Sequence, residues 1–427
     1  MRHACLVFML AYSEIALAQD AERDALDVAN SASALMRGAE QASADANADR
    51  SALAASLETA ANVFQPADDP GALDAAQRAS LDLRYAPSLR DAGLRFGFSD
   101  RLDFRRGASA QGSVNTLREA FASWSPSGDA SLDVGRINVR NGVGAGYNPT
   151  DYFRSGALRS VSSPDPDSLR ENRQGTVVVA GQKLWNGGSA SALYSPRIER
   201  NADTASFNPN FGATNSTDRW LVKTSARVWE GFTPEILAFK EAGESAQAGV
   251  NATALFNNAT VGHVEFSGGR APSLLDQALG RHDDAAFRYR LAAGGTYTTE
   301  TRLSLTLEYQ YNGAGLDRGS WDALRAGPPP AYGAYRRWIA VAQDPPTRRQ
   351  AFAFLRKPDV LMPKLDLSMM LRVDAGDLSM LGWMELRYHW KRTDLALQVQ
   401  GTRGNATSNY GALPQKRLAQ VTATLFV

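Results

Sequence analysis

From Ala79 onwards this 427-residue chain alternates apolar and polar side chains with a period of two, and no other feature constrains its fold so tightly. Leu303, Leu305, Leu307, Tyr309 and Tyr311 alternate with Ser304, Thr306, Glu308 and Gln310. Leu365, Leu367, Met369, Leu371 and Val373 alternate with Asp366, Ser368, Met370 and Arg372. Shorter stretches of the same kind lie at 81–85, 94–98, 220–228, 250–256, 287–293, 380–390 and 395–399. Side chains along a strand point to opposite faces in turn, so each segment has one apolar and one polar face. A soluble sandwich or propeller would bury the apolar face. A transmembrane barrel turns it outwards to lipid and lines its lumen with the polar one.

Three features favour the barrel. The polar faces carry large charged groups, such as Lys223 with Arg227, Arg288 with Arg290, and Glu385 with Arg387, His389 and Lys391. The apolar faces often end in aromatics (Tyr85, Trp220, Tyr309, Tyr311, Tyr388, Trp390), as interfacial girdles do. Connection lengths also alternate. Short ones at 392–393, 358–363, 298–301, 257–258, 230–234, 186–188 and 126–130 separate long ones at 403–415, 312–349, 267–285, 195–218 and 139–175. Two links, 374–377 and 241–246, break the trend. Short periplasmic turns against long outer loops characterise outer-membrane barrels. The alternation gives 13 strands after about Ala130 and three to five more over 79–125, so 18 strands are expected, with 16 as the alternative. The last segment, 418–427, reads as the closing strand recognised by the barrel-assembly machinery, although Phe426 is penultimate where an aromatic residue usually ends the chain.

The first 18 residues read as a secretory signal: Arg2 and His3, an apolar run from Ala4 to Ala11, then Ala16-Leu17-Ala18. The only cysteine, Cys5, falls within it, so the mature chain has no disulfide framework and no thiolate metal site. Residues 19–78 are rich in Ala with interspersed Asp, Glu, Arg and Ser, and read as a periplasmic segment that is helical or disordered. The expected organisation is a signal peptide at 1–18, this segment at 19–78, and a barrel at 79–427. Forty-six Lys and Arg against 45 Asp and Glu give no electrostatic case for nucleic-acid binding. The longest uncharged stretch, 245–264, is too rich in Asn, Gln, Gly and Thr to be a lipid-spanning helix.

One stretch is more specific. Gly135-Arg136-Ile137-Asn138-Val139-Arg140-Asn141-Gly142 runs into Tyr147-Asn148-Pro149-Thr150-Asp151-Tyr152-Phe153. A strand ending in Gly-Arg followed by Asn-Pro-Thr-Asp-Tyr-Phe resembles a superfamily of proteobacterial outer-membrane channels that includes the alginate-export family and related uncharacterised barrels. Ile137 and Asn141-Gly142 stand where those families commonly have Gln and later Trp-Gly. The resemblance implies passive export or uptake of a polar or amphipathic molecule. On the residues alone, Asn148, Pro149, Thr150 and Asp151 are turn chemistry. They sit in a long outer link, where a rigid turn can fold the loop into the lumen as a constriction or simply cap the strand ends.

The sequence offers little catalytic chemistry. Gly142-Val143-Gly144-Ala145-Gly146 lacks the spacing and the Lys-Ser/Thr of a phosphate loop. His263, His282 and His389 belong to no nucleophile motif and form no zinc cluster. No enzyme activity, metal or cofactor is expected. On the polar faces, Arg84, Arg95, Lys223, Arg227, Arg288, Arg290, Arg302, Lys364, Arg372, Arg387 and Lys391 stand against Asp82, Glu308, Asp366 and Glu385. A basic lumen favours anions; the alternative is that these cations pair with loop carboxylates and stiffen the wall. The expected partners are outer-membrane lipid, the barrel-assembly machinery and a polar or anionic solute. A second reading is an outer-membrane component of an export or lipid-trafficking system that docks a periplasmic partner through 19–78. A third is a structural or adhesive barrel with a plugged lumen.

Overall fold

The computed structural model describes residues 53–69, 71–107, 112–199, 214–281 and 284–427. Residues 1–52, which include the signal peptide expected at 1–18, lie outside this range. Strands β1 (Leu53–Pro66), β2 (Asp74–Tyr85), β3 (Ser88–Leu89), β4 (Leu94–Gly107), β5 (Gly112–Ser127) and β6 (Ala130–Ile137) open the chain. After a long loop come β7 (Thr176–Trp185), β8 (Gly188–Ser195), β9 (Arg219–Ala226), β10 (Glu235–Glu241), β11 (Gln247–Asn257), β12 (Thr260–Ala271), β13 (Ala286–Thr298) and β14 (Ser304–Asn312). A second long loop leads to β15 (Arg349–Lys357), β16 (Leu365–Asp374), β17 (Met380–His389), β18 (Thr393–Arg403) and β19 (Gln415–Phe426).

All strand pairings are antiparallel and follow chain order, β2 pairing β4 across the two-residue β3, and β1 closes on β19 with Leu57 opposite Leu425 and Ala60 opposite Thr422. The two-residue β3 only pairs its Ser88 and Leu89 with Arg95 and Leu94 of β4. The result is a closed barrel of 18 strands, so no ladder is left with an open edge.

The alternation runs in the sense of a membrane protein. Leu57, Leu81, Phe104, Val222, Val264, Leu307, Leu371, Leu397 and Val421 are exposed on the outer wall. Their neighbours Ser80, Asp103, Thr116, Glu265, Gln310, Gln398 and Thr422 are buried inside. A soluble fold would reverse this. Exposed Trp124, Trp185, Trp229, Phe256, Tyr297 and Trp390 all lie beside short turns and form one girdle. Trp220, Phe287 and Tyr289 lie near the long loops and mark the other. Among the described residues no helix is long and apolar enough to cross a membrane; the strands do so.

The structure moves one boundary. The barrel starts at Leu53, not Ala79: residues 53–66 and 74–78, expected to be helical or disordered, are β1 and the start of β2. The signal was hidden by composition. Leu57, Thr59, Ala61 and Val63 face out and Glu58, Ala60, Asn62 and Phe64 face in, but Ala on both faces blurs the period. Residues 53–66 and 74–78 are therefore part of the wall.

The long loops carry the helices α1 (Pro166–Glu171), α2 (Leu274–Ala278), α3 (Arg318–Ala326) and α4 (Pro329–Ala342). Asp317 caps α3 by accepting from the Ser320 N–H. Leu274, Leu316, Trp321, Leu324, Tyr335 and Ile339 pack these loops into an apolar cluster of their own at the outer mouth.

Candidate functional site within the lumen

Loop 138–175 enters the barrel. It leaves β6 after Ile137, just beyond Gly135, whose φ of 133° and close approach to the Ala120 carbonyl (2.4 Å from an ideal Cβ) exclude any other residue. Arg136 is buried and donates to the Gly175 carbonyl at 2.6 Å, which fastens the two ends of the loop together.

The glycine run 142–146 is the main attachment, and its function escaped the sequence reading. Its backbone N–H groups receive two wall carboxylates. Val143 and Gly144 donate to Glu265 Oε2 at 2.9 and 3.0 Å. Ala145, Gly146 and Tyr147 donate to Glu308 at 2.6, 3.2 and 3.0 Å. Successive N–H groups make an anion-binding concavity, here filled by the protein's own carboxylates. An ideal Cβ at Gly142 would lie 2.5 Å from the Glu265 carboxylate, and one at Gly146 would lie 2.5 Å from the Phe352 ring. Glycine is required because the backbone touches the wall. Glu308 also contacts His263 at 3.0 Å and accepts from Gln310 at 2.8 Å.

The Asn-Pro-Thr-Asp turn is buried against the same wall. Thr150 donates to Glu265 Oε1 through its N–H at 2.6 Å and its hydroxyl at 2.8 Å, and Asn148 Nδ2 reaches Glu265 Oε2 at 3.2 Å. The Asp151 N–H closes the turn on the Asn148 carbonyl, and its carboxylate pairs with Arg173 at 2.5 Å. Thus Asn148, Pro149, Thr150 and Asp151 all lie inside the barrel.

Further contacts carry the loop across to other strands. Glu171 pairs with Arg84 of β2, Asn172 accepts from Arg118 of β5 at 3.2 Å, Asp167 pairs with Arg356 of β15 at 2.6 Å, and the Ser162 carbonyl accepts from Gln420 of β19 at 3.4 Å. From the outer side Asp344, in the loop after α4, pairs with Arg154, accepts from the Tyr147 hydroxyl at 2.8 Å and lies 3.6 Å from Arg290. Burial disfavours the Asp344 charge, but Arg154 foremost and then Arg290 outweigh it and hold the carboxyl below its ordinary range.

The expected wall cations fall into three groups. Arg84, Lys223, Arg288, Arg290 and Arg387 point inwards and have carboxylate neighbours, among them Glu235 for Lys223 at 3.4 Å and Glu385 for Arg387 at 2.8 Å. Arg372 instead donates to the Gly146 carbonyl at 3.1 Å with its guanidinium 5.0 Å from the centre of the Phe352 ring, and Arg95 lies 6.0 Å from that of Phe121. Arg227 and Lys391 are not on the wall. Both are exposed beyond the ends of β9 and β17, in short turns, because the strands stop sooner than the alternation suggested; Arg302 and Lys364 sit likewise in turns, with φ of 63° and 69°.

Beneath the loop, towards the short-turn end, lies a cavity of about 600 Å³. Its lining includes Arg78, Arg356, Arg387, Glu58, Asp366 and Glu385 of the wall, and Ser162, Ser163 and Asp165 of the loop form its roof.

No protein-family model matches the sequence, and no curated protein matches it. Solved structures do. The outer membrane protein OpdK of Pseudomonas aeruginosa superposes with a TM-score of 0.52 at 10% identity, over 88% of this chain and 98% of that one. Acinetobacter baumannii OccAB1 gives 0.51 at 11% identity over 88% and 96%, and Pseudomonas aeruginosa OccK5 (OpdH) 0.51 at 10% over 88% and 98%. The chain has the outer-membrane channel fold. With that fold, an apolar outer wall and two aromatic girdles, it is a barrel of the Gram-negative outer membrane. The likeness is to proteobacterial barrel channels as a class.

Proposed function

We propose that this barrel passes a small or oligomeric polar, anionic solute, and that loop 138–175 is its selectivity constriction. The observation that carries the reading is the kind of partner given to the arginines around the loop. Arg170 donates to the Asn148 side-chain oxygen and the Asn141 carbonyl, each at 3.0 Å. Arg219 donates to the Thr214 carbonyl and stacks 4.7 Å from the Phe153 ring, and Arg372 has the carbonyl and ring described above. The direct hydrogen-bond partners of these guanidinium groups are neutral oxygens, with Asp151 the carboxylate nearest in effect to Arg170 and Glu241 to Arg219, and in a narrow low-dielectric passage an excess of such cations favours anions. Glu265 and Glu308, by contrast, are enclosed by the loop's N–H groups and are withheld from a passing solute. The wall pairs at Arg84, Lys223, Arg288 and Arg387 are the stiffening part of the same ring. The motif similar to the alginate-export channels supports a polar cargo and leaves its identity open.

The test is solute entry into proteoliposomes, comparing a small carboxylate, a neutral polyol and an amine of similar size. Faster entry of the carboxylate, with the preference reduced in Arg372→Gln, is the expected result. Equal or faster entry of the amine would overturn the anionic reading, and entry of none of the three would overturn the channel.

A further inference from the structure

We propose that the outer wall formed by β19, β1, β2, β4 and β5 docks a second copy of this chain. The inference starts from Asp100. It lies midway along β4, where Phe96, Phe98, Leu102 and Phe104 share its outward face and Ser99, Arg101 and Asp103 point into the lumen. The outward positions on its neighbouring strands are Leu83 of β2 and Leu117 of β5. A carboxylate thus stands in the middle of the lipid-facing belt, where Leu307, Leu371 and Leu397 occupy the rest of the circumference.

A bulge in β5 creates the arrangement. Ser99 pairs with Glu119 and Asp100 with Leu117, so Arg118 is the extra residue. Beyond it Asn115, opposite Leu102, faces lipid too. Its Nδ2 serves both Asp100 oxygens, at 3.0 and 2.8 Å. Among the described residues the Asn115 side-chain carbonyl accepts no hydrogen bond. A polar pair at this depth is expensive against hydrocarbon and marks a surface that meets something other than lipid tails.

The surrounding wall fits a protein neighbour. Further along the same strands, Thr59, Ala61, Ala79, Ser113 and Ala423 stand beside Phe104 and Arg106 and leave a groove of about 780 Å³. Small residues let two backbones approach closely. A second copy is the occupant that the polar pair selects. A two-fold axis along the membrane normal brings the same residues together at the same depth. One N–H of each Asn115 then stays on its own Asp100 while the other turns from the second Asp100 oxygen to the open side-chain carbonyl of the Asn115 in the other copy, and the reverse, with no further polar group required. Five strands at about 4.8 Å spacing across a belt about 25 Å tall offer roughly 600 Å² per copy, about 1,200 Å² in all. That clears the roughly 1,000 Å² that a specific interface needs.

The experiment is thiol cross-linking of the full chain in outer-membrane vesicles, with a short bis-maleimide and Asn115→Cys. Leu307→Cys, lipid-facing on the far side of the barrel, is the control. The expected result is an adduct of twice the monomer mass from Asn115→Cys and none from Leu307→Cys. The double variant Asp100→Leu with Asn115→Leu should keep the heat-modifiable mobility of a folded barrel while its solution mass in mild detergent falls by half. Three results would overturn the proposal: no adduct, equal adducts from both cysteines, or an adduct whose mass fits a different protein. The first of these is what a wall covered only by lipid would give.

Discussion

The attachment of loop 138–175 to two wall carboxylates makes a quantitative prediction for Glu265→Gln. In the native wall Oε2 accepts from Val143, Gly144 and Asn148, and Oε1 accepts twice from Thr150. Glutamine has one side-chain oxygen, and its amide group would face donors whichever way it is turned. At least two hydrogen bonds to a charged acceptor are lost, and each is worth about 1.5–3 kcal/mol. Taking the low end for both gives about 3 kcal/mol, on the order of a hundredfold in the ratio of seated to released loop, since about 1.4 kcal/mol is tenfold. Single-channel recording in a planar bilayer reads this ratio as the share of time spent at a higher, noisier conductance. Glu385→Gln is the control, because Glu385 pairs with Arg387 of its own strand and accepts from Gln398. Frequent excursions in Glu265→Gln and a quiet trace in Glu385→Gln are expected. A Glu265→Gln barrel that folds and conducts as the parent does would refute the idea that this carboxylate holds the loop.

Two further outcomes follow from the geometry. Asp344 has a depressed carboxyl pKa beside Arg154 and Arg290, so its tie to the loop is fully present above the ordinary carboxylate range, near 3.9, and is lost only as pH falls through the lower folded value. Gating frequency should then stay flat from about pH 7 to pH 5, and Arg154→Met should move the onset of gating to higher pH; a parent channel that loosens already near pH 6 would contradict this. Separately, deleting residues 53–66 removes the strand that pairs with both β2 and β19, so heat-modifiable mobility in electrophoresis should disappear. Retention of that mobility would show that the wall closes without β1.

Much of this architecture was legible because a lipid-facing wall imposes a strict period of two. The turn and loop pattern after residue 126 matches the connections found, including the two short outer links at 374–377 and 241–246. What failed was local. In β1 the alanines fall on both faces, so a strand and a helix are written with nearly the same letters. Arg227 and Lys391 were carried past strand ends because alternation continues into a turn without changing residue type. The attachment of the loop was the largest omission. Gly142–Gly146 was weighed as a site for an external phosphate, whereas the anions it receives are Glu265 and Glu308, more than a hundred residues later in the chain. Only the fold brings those carboxylates to the glycines. A signal did exist: Glu265 lies between Val264 and Phe266, both in keeping with an outer face, which left a lone inward carboxylate to be explained.

The most direct test of the channel account is the conductance of the refolded mature barrel in a planar bilayer, with its reversal potential under a KCl gradient. Stable conductance steps with a reversal potential on the chloride side are predicted. A folded barrel that never conducts, or one that conducts with cation preference, would contradict it.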